Sequence, residues 1–346
     1  MANQLTITVI VPCRNEAKFI AKCLDSILAN DYPRECLEVL VVDGMSDDGT
    51  RDVIQAYASK NSFIRLLDNP KKITPSAINI GVRCAKGEII MRMDVHVEYQ
   101  SNYIAGLLSV LLETGADNVG GLCITVPAKN TVMGNAIAIG MAHPFGVGNS
   151  YFRIGVSERR WVDTVPFGCY RREVFDRIGL FDEELIRNQD DEFNLRLIKN
   201  GGKILLIPEI VSYYYARDSL PKLWRMYFQY GYFKPLVVRK IGGVFTIRQL
   251  IPCAFVLGLF LLTILAPWLS LALLLDEALI SIYIIANLIA SCIAVARTKA
   301  MYCFALPLVF PVLHFGYGIG FLKGIVDLLF IRGFGRNVAS DVGLSR

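Results

Sequence analysis

The chain has 346 residues, 53% of them hydrophobic and 19% charged, with a formal net charge of +5. That apolar share is too high for a soluble enzyme of this size, and a small basic excess without a basic stripe or nucleic-acid module fits a membrane-facing surface and excludes a nucleic-acid partner. Nine cysteines, an odd number without Cys-x-x-Cys pairs, suit reduced thiols and exclude a disulfide scaffold.

Strand and helix patterns alternate from the start. Residues 5–11 are a β-branched run ending at Pro12, and 16–28 has helical spacing through Phe19, Ile20, Cys23, Leu24, Ile27 and Leu28. A second apolar run, 37–42, stops at Asp43-Gly-Met-Ser-Asp-Asp-Gly-Thr50 and leads into a helix over 50–58. A third, 63–67, precedes Asn69-Pro70 and a helix over 74–85, and 88–93 is a fourth strand. Such repetition predicts parallel βα crossovers, and ligands of an open parallel sheet sit beyond the carboxyl ends of its strands. The polar clusters 12–16, 43–50, 68–70 and 94–96 therefore share one rim.

The fourth strand ends in Asp94-Val-His96. Side chains two apart on an extended strand point the same way, so Asp94 and His96 either converge on one cation or phosphate or simply mark a strand running into a polar turn. The first βα turn, Pro-Cys-Arg-Asn-Glu, lacks the Gly-x-Gly-x-x-Gly that lets a pyrophosphate approach the backbone, which argues against NAD.

Residues 120–155 contain glycines and loops to which no element is assigned. Beyond them, 173–178 has a short helical pattern, and a second helix begins at Asn188 as N-cap and ends at Gly201-Gly202. Its first turn holds Asp190, Asp191 and Glu192, acids that either favour the helix start or carry chemistry. Trp161, Phe167 and Tyr170 are candidates to stack on a ligand ring or to fill core, and Arg159, Arg160, Arg171 and Arg172 to hold a diphosphate or to be solvated.

The apolar excess sits at the end of the chain. Residues 250–275 would span about 39 Å as a helix, more than the hydrocarbon core of about 30 Å. Residues 278–296 are a second run of spanning length, and 301–322 a third, interrupted by Pro307, Pro311 and glycines, that either spans or is broken or re-entrant. Asp276-Glu277 separates the first two. Arg239, Lys240 and Arg248 precede them and Arg297 and Lys299 follow, so the positive-inside rule puts the amino-terminal domain in the cytoplasm of a multi-pass inner-membrane protein. Nothing in the opening residues resembles a signal peptide, since the first apolar run reads as a short strand ending at Pro12. Residues 219–240 interleave aromatics with Lys222, Arg225, Lys234 and Arg239, as expected of a helix at the membrane surface or packed on the catalytic domain. The expected organisation is a domain over 1–218, an interfacial segment over 219–249, a membrane region over 250–332 and a polar tail over 333–346.

Taken in order, Val11-Pro12-Cys-Arg14-Asn15-Glu16, Val42-Asp43-Gly44-Met-Ser46-Asp47-Asp48-Gly49-Thr50, Ala77-x-Asn79-x-Gly81 and Asp94-x-His96 resemble family 2 glycosyltransferases, and the whole chain looks most like the membrane-bound transferases of succinoglycan-type exopolysaccharide assembly. The resemblance implies an α/β GT-A domain, Rossmann-like, followed by transmembrane helices. It implies that Asp43 meets the nucleotide base, with Asp68 at the base or ribose and Pro12, Arg14, Glu16 and Asn79 among the nucleotide-sugar contacts. It places Asp94 near the ribose and diphosphate, and it gives His96, with Asp94, to a divalent cation, Mn²⁺ or Mg²⁺. Many relatives carry Asp-x-Asp here; an imidazole suits Mn²⁺ somewhat better.

Relatives show Glu-Asp-x-Asp-Leu-x-x-Arg in the second cluster. Aligning on Arg196 puts Gln189 at the Glu position and Asp190 at the base that takes the acceptor proton, with Asp191 the neighbouring alternative. The expected activity is inverting transfer of a sugar, glucose, from UDP to a polyprenyl-diphosphate-linked saccharide. Transfer to polyprenyl phosphate itself, or a catalytically silent nucleotide-sugar-binding subunit, are the alternatives. Other polysaccharide-assembly enzymes are the candidate protein partners.

Overall fold

The computed structural model describes residues 5–243, 246–298 and 304–330. The polar tail expected over 333–346 lies outside them, as do Lys299 and Arg332. Two compact units result: the first holds the chain up to Ile124 together with Gly155–Tyr214, and the second Thr125–Ile154 together with the chain from Tyr215 onward.

In chain order, β1 (Ile7–Cys13), α1 (Ile20–Leu28), β2 (Leu37–Asp43), α2 (Thr50–Ala58), β3 (Ile64–Asp68), α3 (Thr74–Cys84) and β4 (Ile89–Arg92) follow the expected alternation. Next come β5 (Val97–Tyr99), α4 (Tyr103–Thr114), β6 (Asn118–Val126), α5 (Val132–Met141), α6 (Pro144–Val147) and α7 (Tyr151–Ile154). Then follow β7 (Arg160–Trp161), β8 (Cys169–Arg171), α8 (Glu173–Ile178), α9 (Gln189–Lys199) and β9 (Ile204–Tyr215). The remaining helices are α10 (Leu220–Ile241), α11 (Ile251–Leu265), α12 (Ser270–Thr298) and α13 (Leu306–Phe330).

The sheet runs β3-β2-β1-β4-β8-β6-β9-β5, with β7 also on β9. Its first four strands are parallel, because each βα crossover returns the chain to the same end. β8 pairs antiparallel with β4 and β6, and β9 antiparallel with β5 and β7. Val9, Ile10, Val11, Val39, Leu40 and Val41 are fully buried, the continuous apolar composition of strands covered on both faces. A Cβ at Gly81 of α3 would meet Ile10 Cγ2 at 2.5 Å, so this glycine sets how closely α3 lies on β1.

Among the described residues of the second unit, three helices are long and apolar enough to cross a membrane: Ile247–Leu265, Ser270–Arg297 and Leu306–Phe330. The helix break falls at 266–269 rather than at Asp276-Glu277. Pro267 has no N–H to continue the ladder, whereas Asp276 lies inside α12 and accepts from Thr263 Oγ1 at 3.1 Å. α13 is one continuous helix despite its prolines: Pro307 occupies the first turn, where the missing N–H costs nothing, and Pro311 is absorbed one turn later.

α10 packs along α13 and buries Leu223, Tyr232, Phe233 and Leu236. Cβ atoms built at Gly320 and Gly324 would lie 2.2 and 2.3 Å from the carbonyls of Phe228 and Tyr232, so glycine lets the two backbones touch. The segment 125–154, unassigned from sequence, supplies α5 and α6, which also pack on α13. His314 engages Tyr283 through Nδ1 at 3.0 Å and the Phe145 carbonyl through Nε2 at 2.7 Å, so both ring nitrogens are used inside the unit.

Candidate active site

Register brings the sequence motifs to one edge. Cys13 pairs with Asp43 and Asp43 with Asp68, so the two acids end neighbouring strands side by side. The loops after β1 and β2 are joined by side chain to backbone bonds: Asn15 N–H to Ser46 Oγ (2.8 Å), Glu16 N–H to Thr50 Oγ1 (2.7 Å), Ala17 N–H to Asp48 Oδ2 (3.2 Å) and Asp47 N–H to Asn15 Oδ1 (3.1 Å). Asn15 and Met45 take φ of 55° and 57°. Asparagine tolerates this region; for Met45 it is a strain of about 1 kcal/mol that the surrounding bonds hold in place.

Asp43 is fully buried. Its Oδ1 accepts from Cys13 Sγ at 3.5 Å and from the Ser46 hydroxyl, and its Oδ2 from Ser46 N–H at 2.9 Å and Arg51 Nη1 at 2.8 Å. Burial alone would push this carboxyl up, but the Ser46 and Arg51 hydrogen bonds carry it below its ordinary value. Arg51 also donates through Nη2 to the exposed Asp68 at 2.7 Å, spanning both strand ends. Pro12 is half-buried in β1, and the Arg14 side chain lies over Gly44, whose added Cβ would meet it at 3.1 Å.

At the end of β4, exposure alternates through Arg92, Asp94 and His96, with Met93, Val95 and Val97 buried between them. Arg92 forks Asp94 with Nε and Nη2, each at 2.8 Å. Although burial disfavours its charge, Asp94 beside it holds the guanidinium protonated, and its field also reaches Asp190. His96 Nε2 lies 2.8 Å from Glu16 Oε1, and the Phe19 ring meets the imidazole edge-on at 5.2 Å.

Among the described residues no group of three or more His, Cys, Asp or Glu side chains is arranged to hold a metal ion. The fit to a divalent cation is that of a partial donor set. His96 and Glu16 stand at about the 3 Å separation of adjacent ligands on one ion with bonds of about 2.1 Å. Each oxygen of Asp94 accepts one bond from Arg92.

α9 presents the second cluster. Asn188 is its N-cap at φ 60°, without a side-chain cap bond, and Gln189 is buried. Burial and the neighbouring Asp191 push the Asp190 carboxyl up, with Arg92 opposing. Asp191 donates its N–H to Asp190 Oδ1 at 3.1 Å. Glu192 accepts both arms of Arg196, at 2.7 and 3.0 Å, and Arg196 also donates to the Leu180 carbonyl at 2.8 Å, tying α9 to the end of α8. Phe193 stacks on Phe181 beneath, with centroids 4.2 Å apart.

Asn79 is buried in α3 and its amide faces residues 181–183: Nδ2 donates to the Phe181 carbonyl (2.9 Å) and Glu183 Oε1 (3.0 Å), and Oδ1 accepts from Phe181 N–H (2.9 Å). It positions the segment that leads into α9. Phe167 and Tyr170 are buried, whereas Trp161 is exposed. Arg159 pairs with Glu113 and Glu209; Arg171 and Arg172 donate to the Leu111 and Ala85 carbonyls.

Two residues missed by the motif reading, Arg51 and Arg92, tie the acids together. Each had a signal. A cation in the first turn of a helix opposes the macrodipole, as Arg51 does in α2, and an arginine within an apolar strand needs an anion, as Arg92 does in β4.

A parallel βα half-sheet with its acids gathered beyond the carboxyl ends is the architecture of the GT-A fold. The sequence profile of glycosyl transferase family 2 matches residues 8–179. The chain is 32% identical to the dolichyl N-acetyl-alpha-D-glucosaminyl phosphate 3-beta-D-2,3-diacetamido-2,3-dideoxy-beta-D-glucuronosyltransferase of Methanococcus voltae, over 92% of this chain and 97% of that one. It is 31% identical to the succinoglycan biosynthesis protein ExoA of Rhizobium meliloti, over 73% of this chain and 77% of that one. The mannosyltransferase PcManGT of Pyrobaculum calidifontis, solved with GDP-Man and Mn²⁺, has the same fold at a TM-score of 0.57 and 20% identity, covering 95% of this chain and 88% of that one. The chain belongs to glycosyl transferase family 2, and it is a glycosyltransferase. Its three long apolar helices, among the described residues, associate it with a membrane.

Proposed function

We propose that this transferase moves a sugar, glucose, from a UDP-sugar to a polyprenyl-diphosphate-linked saccharide in exopolysaccharide assembly, with inversion and with a divalent cation. The observation that carries the reading is the gathering of Asp43, Arg51 and Asp68 beyond β2 and β3, with Asp94 held by an Arg92 whose charge also reaches Asp190. The first group suits a nucleoside and the second a reacting sugar. The names of the Methanococcus and Rhizobium relatives, one acting on a dolichyl-linked sugar and one in succinoglycan biosynthesis, support the acceptor class.

In the proposed step the acceptor hydroxyl oxygen bonds to the sugar C1 as the bond from C1 to the diphosphate oxygen breaks. The hydroxyl proton passes to a carboxylate oxygen of Asp190, and the electron pair leaves with the nucleoside diphosphate. A base whose affinity for the proton is raised by burial suits that task. Asp191 holds Asp190 through its backbone N–H, and Asn79 and Arg196 fix the segment around it. A cation held by His96 with Asp94 or Glu16 would neutralise charge on the leaving diphosphate. Arg239, Lys240, Arg248 and Arg297 flank the first two apolar helices and support a cytoplasmic catalytic unit on a multi-pass inner-membrane protein.

The test is transfer of radiolabelled sugar from UDP- and GDP-sugars into membrane lipids, with and without EDTA, for the native protein and Asp190→Asn. Label in an acid-labile lipid-linked saccharide from a UDP-sugar, abolished by chelation and by the substitution, is the expected result. Nucleotide binding without transfer from any donor would point instead to a silent binding subunit.

A further inference from the structure

A carboxylate offers about four acceptor sites, two on each oxygen. At Asp43 the four are filled by Cys13 and Ser46 side chains on Oδ1 and by Ser46 N–H and Arg51 on Oδ2. The acid that the family resemblance assigns to the base has no acceptor left for a base N–H. Arg51 stands differently. Of its five N–H donors, one goes to Asp43 and one to Asp68. Its side chain keeps 30% exposure beside an Asp68 that keeps 57%, so the guanidinium lies at the open edge of the rim with donors still to place. A guanidinium accepts nothing and stays charged at any working pH.

From this count we infer that Arg51 is a specificity-determining residue that meets the donor's nucleobase with hydrogen-bond donors, selecting a base with a carbonyl where uracil carries O4 and guanine O6. Cytosine and adenine place an amino group there, a donor against a donor. The inference rests on the transferase reading for the presence of a nucleotide and goes beyond it in saying how the base is read. Asp43 and Asp68 then act as the anchors that aim Arg51, and Asp43 contacts the base through it. The shared chemistry, a carbonyl-bearing base, leaves uracil and guanine as two sources that binding separates.

The experiment is calorimetric titration of the purified full-length protein in detergent, with Mn²⁺, using UDP, GDP, CDP and ADP. The native protein is expected to bind UDP or GDP about tenfold or more tightly than CDP and ADP, the order of a charge-assisted hydrogen bond. Whichever of UDP and GDP binds more tightly identifies the base. In Arg51→Leu that preference should fall to near unity. Arg51→Gln, whose amide keeps a donor toward Asp43 and so spares the loops, should retain only part of it. An unchanged preference in both variants would make Arg51 a structural pin and overturn the inference. Tighter UDP binding by Arg51→Leu would overturn it too, because Arg51 would then be competing with the base for Asp43. Failure of every nucleotide to bind the native protein would remove the transferase reading along with it.

Discussion

Asp43, fully buried, and Asp190, half-buried at the surface of α9, are carboxylates of the same unit, yet their surroundings push them in opposite directions. Around Asp43, two hydrogen bonds from Ser46 and a guanidinium overcome burial and stabilise the anion. Around Asp190, burial and Asp191 outweigh Arg92 and favour the proton. The first arrangement holds a shape and the second keeps an affinity for a proton that the chemistry can use. The proposed reaction, in which a nucleotide is gripped and an acceptor deprotonated, calls for one of each.

The largest expected effect is at Asp190. Asp190→Asn should lower transfer by about 10²- to 10⁴-fold, the range for loss of a general base. It should also melt at or above the native temperature at neutral pH. A folded value raised above the unfolded one of about 3.9 means that ionising the group costs stability; the cost is full above the folded value and absent below the unfolded one. The gain in the variant should therefore shrink as the pH falls. A lower melting temperature at neutral pH would show that Asp190 is instead a structural acid. Asp191→Asn with a comparable loss of transfer and Asp190→Asn without one would move the base by one position.

Arg92→Met comes next. It leaves Asp94 without its forked partner and Asp190 without its nearby cation, a loss of about 2–3 kcal/mol for charge-assisted bonds at a half-buried site. With the positive field gone, Asp190 holds its proton more tightly, so transfer should fail at a higher pH on the acid side than in the native enzyme. An acid limb that does not move would separate Arg92 from the base. Asn79→Ala should cost less, about 1–3 kcal/mol by thermal melting, since it leaves Phe181 N–H without its buried partner. Because its effect on Asp190 is positional, transfer should fall less than in Asp190→Asn.

The parallel half of the sheet was legible because each strand there is an apolar run closed by turn residues, and because the acids of the rim sit in those turns. β1 to β4 and α1 to α3 accordingly match the expected elements to within a few residues. The other half was not legible. β5 and β8 have three residues each and β7 two, and β5 pairs with β9 across more than a hundred positions, so no local periodicity marks them. Thr125–Ile154 was hidden by its glycines: α5 and α6 are short, and what defines them is packing on α13. At the site, acids were found because motifs name acids. Arg51 and Arg92 were passed over because each is read only as a conflict, a cation at a helix start and a charge inside a strand.

The smallest and most discriminating change is Ser46→Ala. It removes one hydroxyl that donates to Asp43 Oδ1 and accepts from Asn15 N–H, and it leaves Ser46's own backbone bond to Asp43 in place. The cost should be about 1 kcal/mol, the net worth of such a bond. Its pH dependence carries the information. A carboxyl held below its unfolded value contributes stability that is present above about pH 3.9 and is lost as the pH falls through the folded value. Without the hydroxyl the folded value rises toward the unfolded one, so the deficit in melting temperature should be full at neutral pH and shrink in acid. The sign is the reverse of that for Asp190→Asn, where a gain shrinks in acid. A Ser46→Ala deficit that stayed constant from neutral pH down to about 3 would mean that the hydroxyl serves the Asn15 loop and not the Asp43 charge, and the contrast between the two carboxylates would rest on Arg51 and the Ser46 N–H.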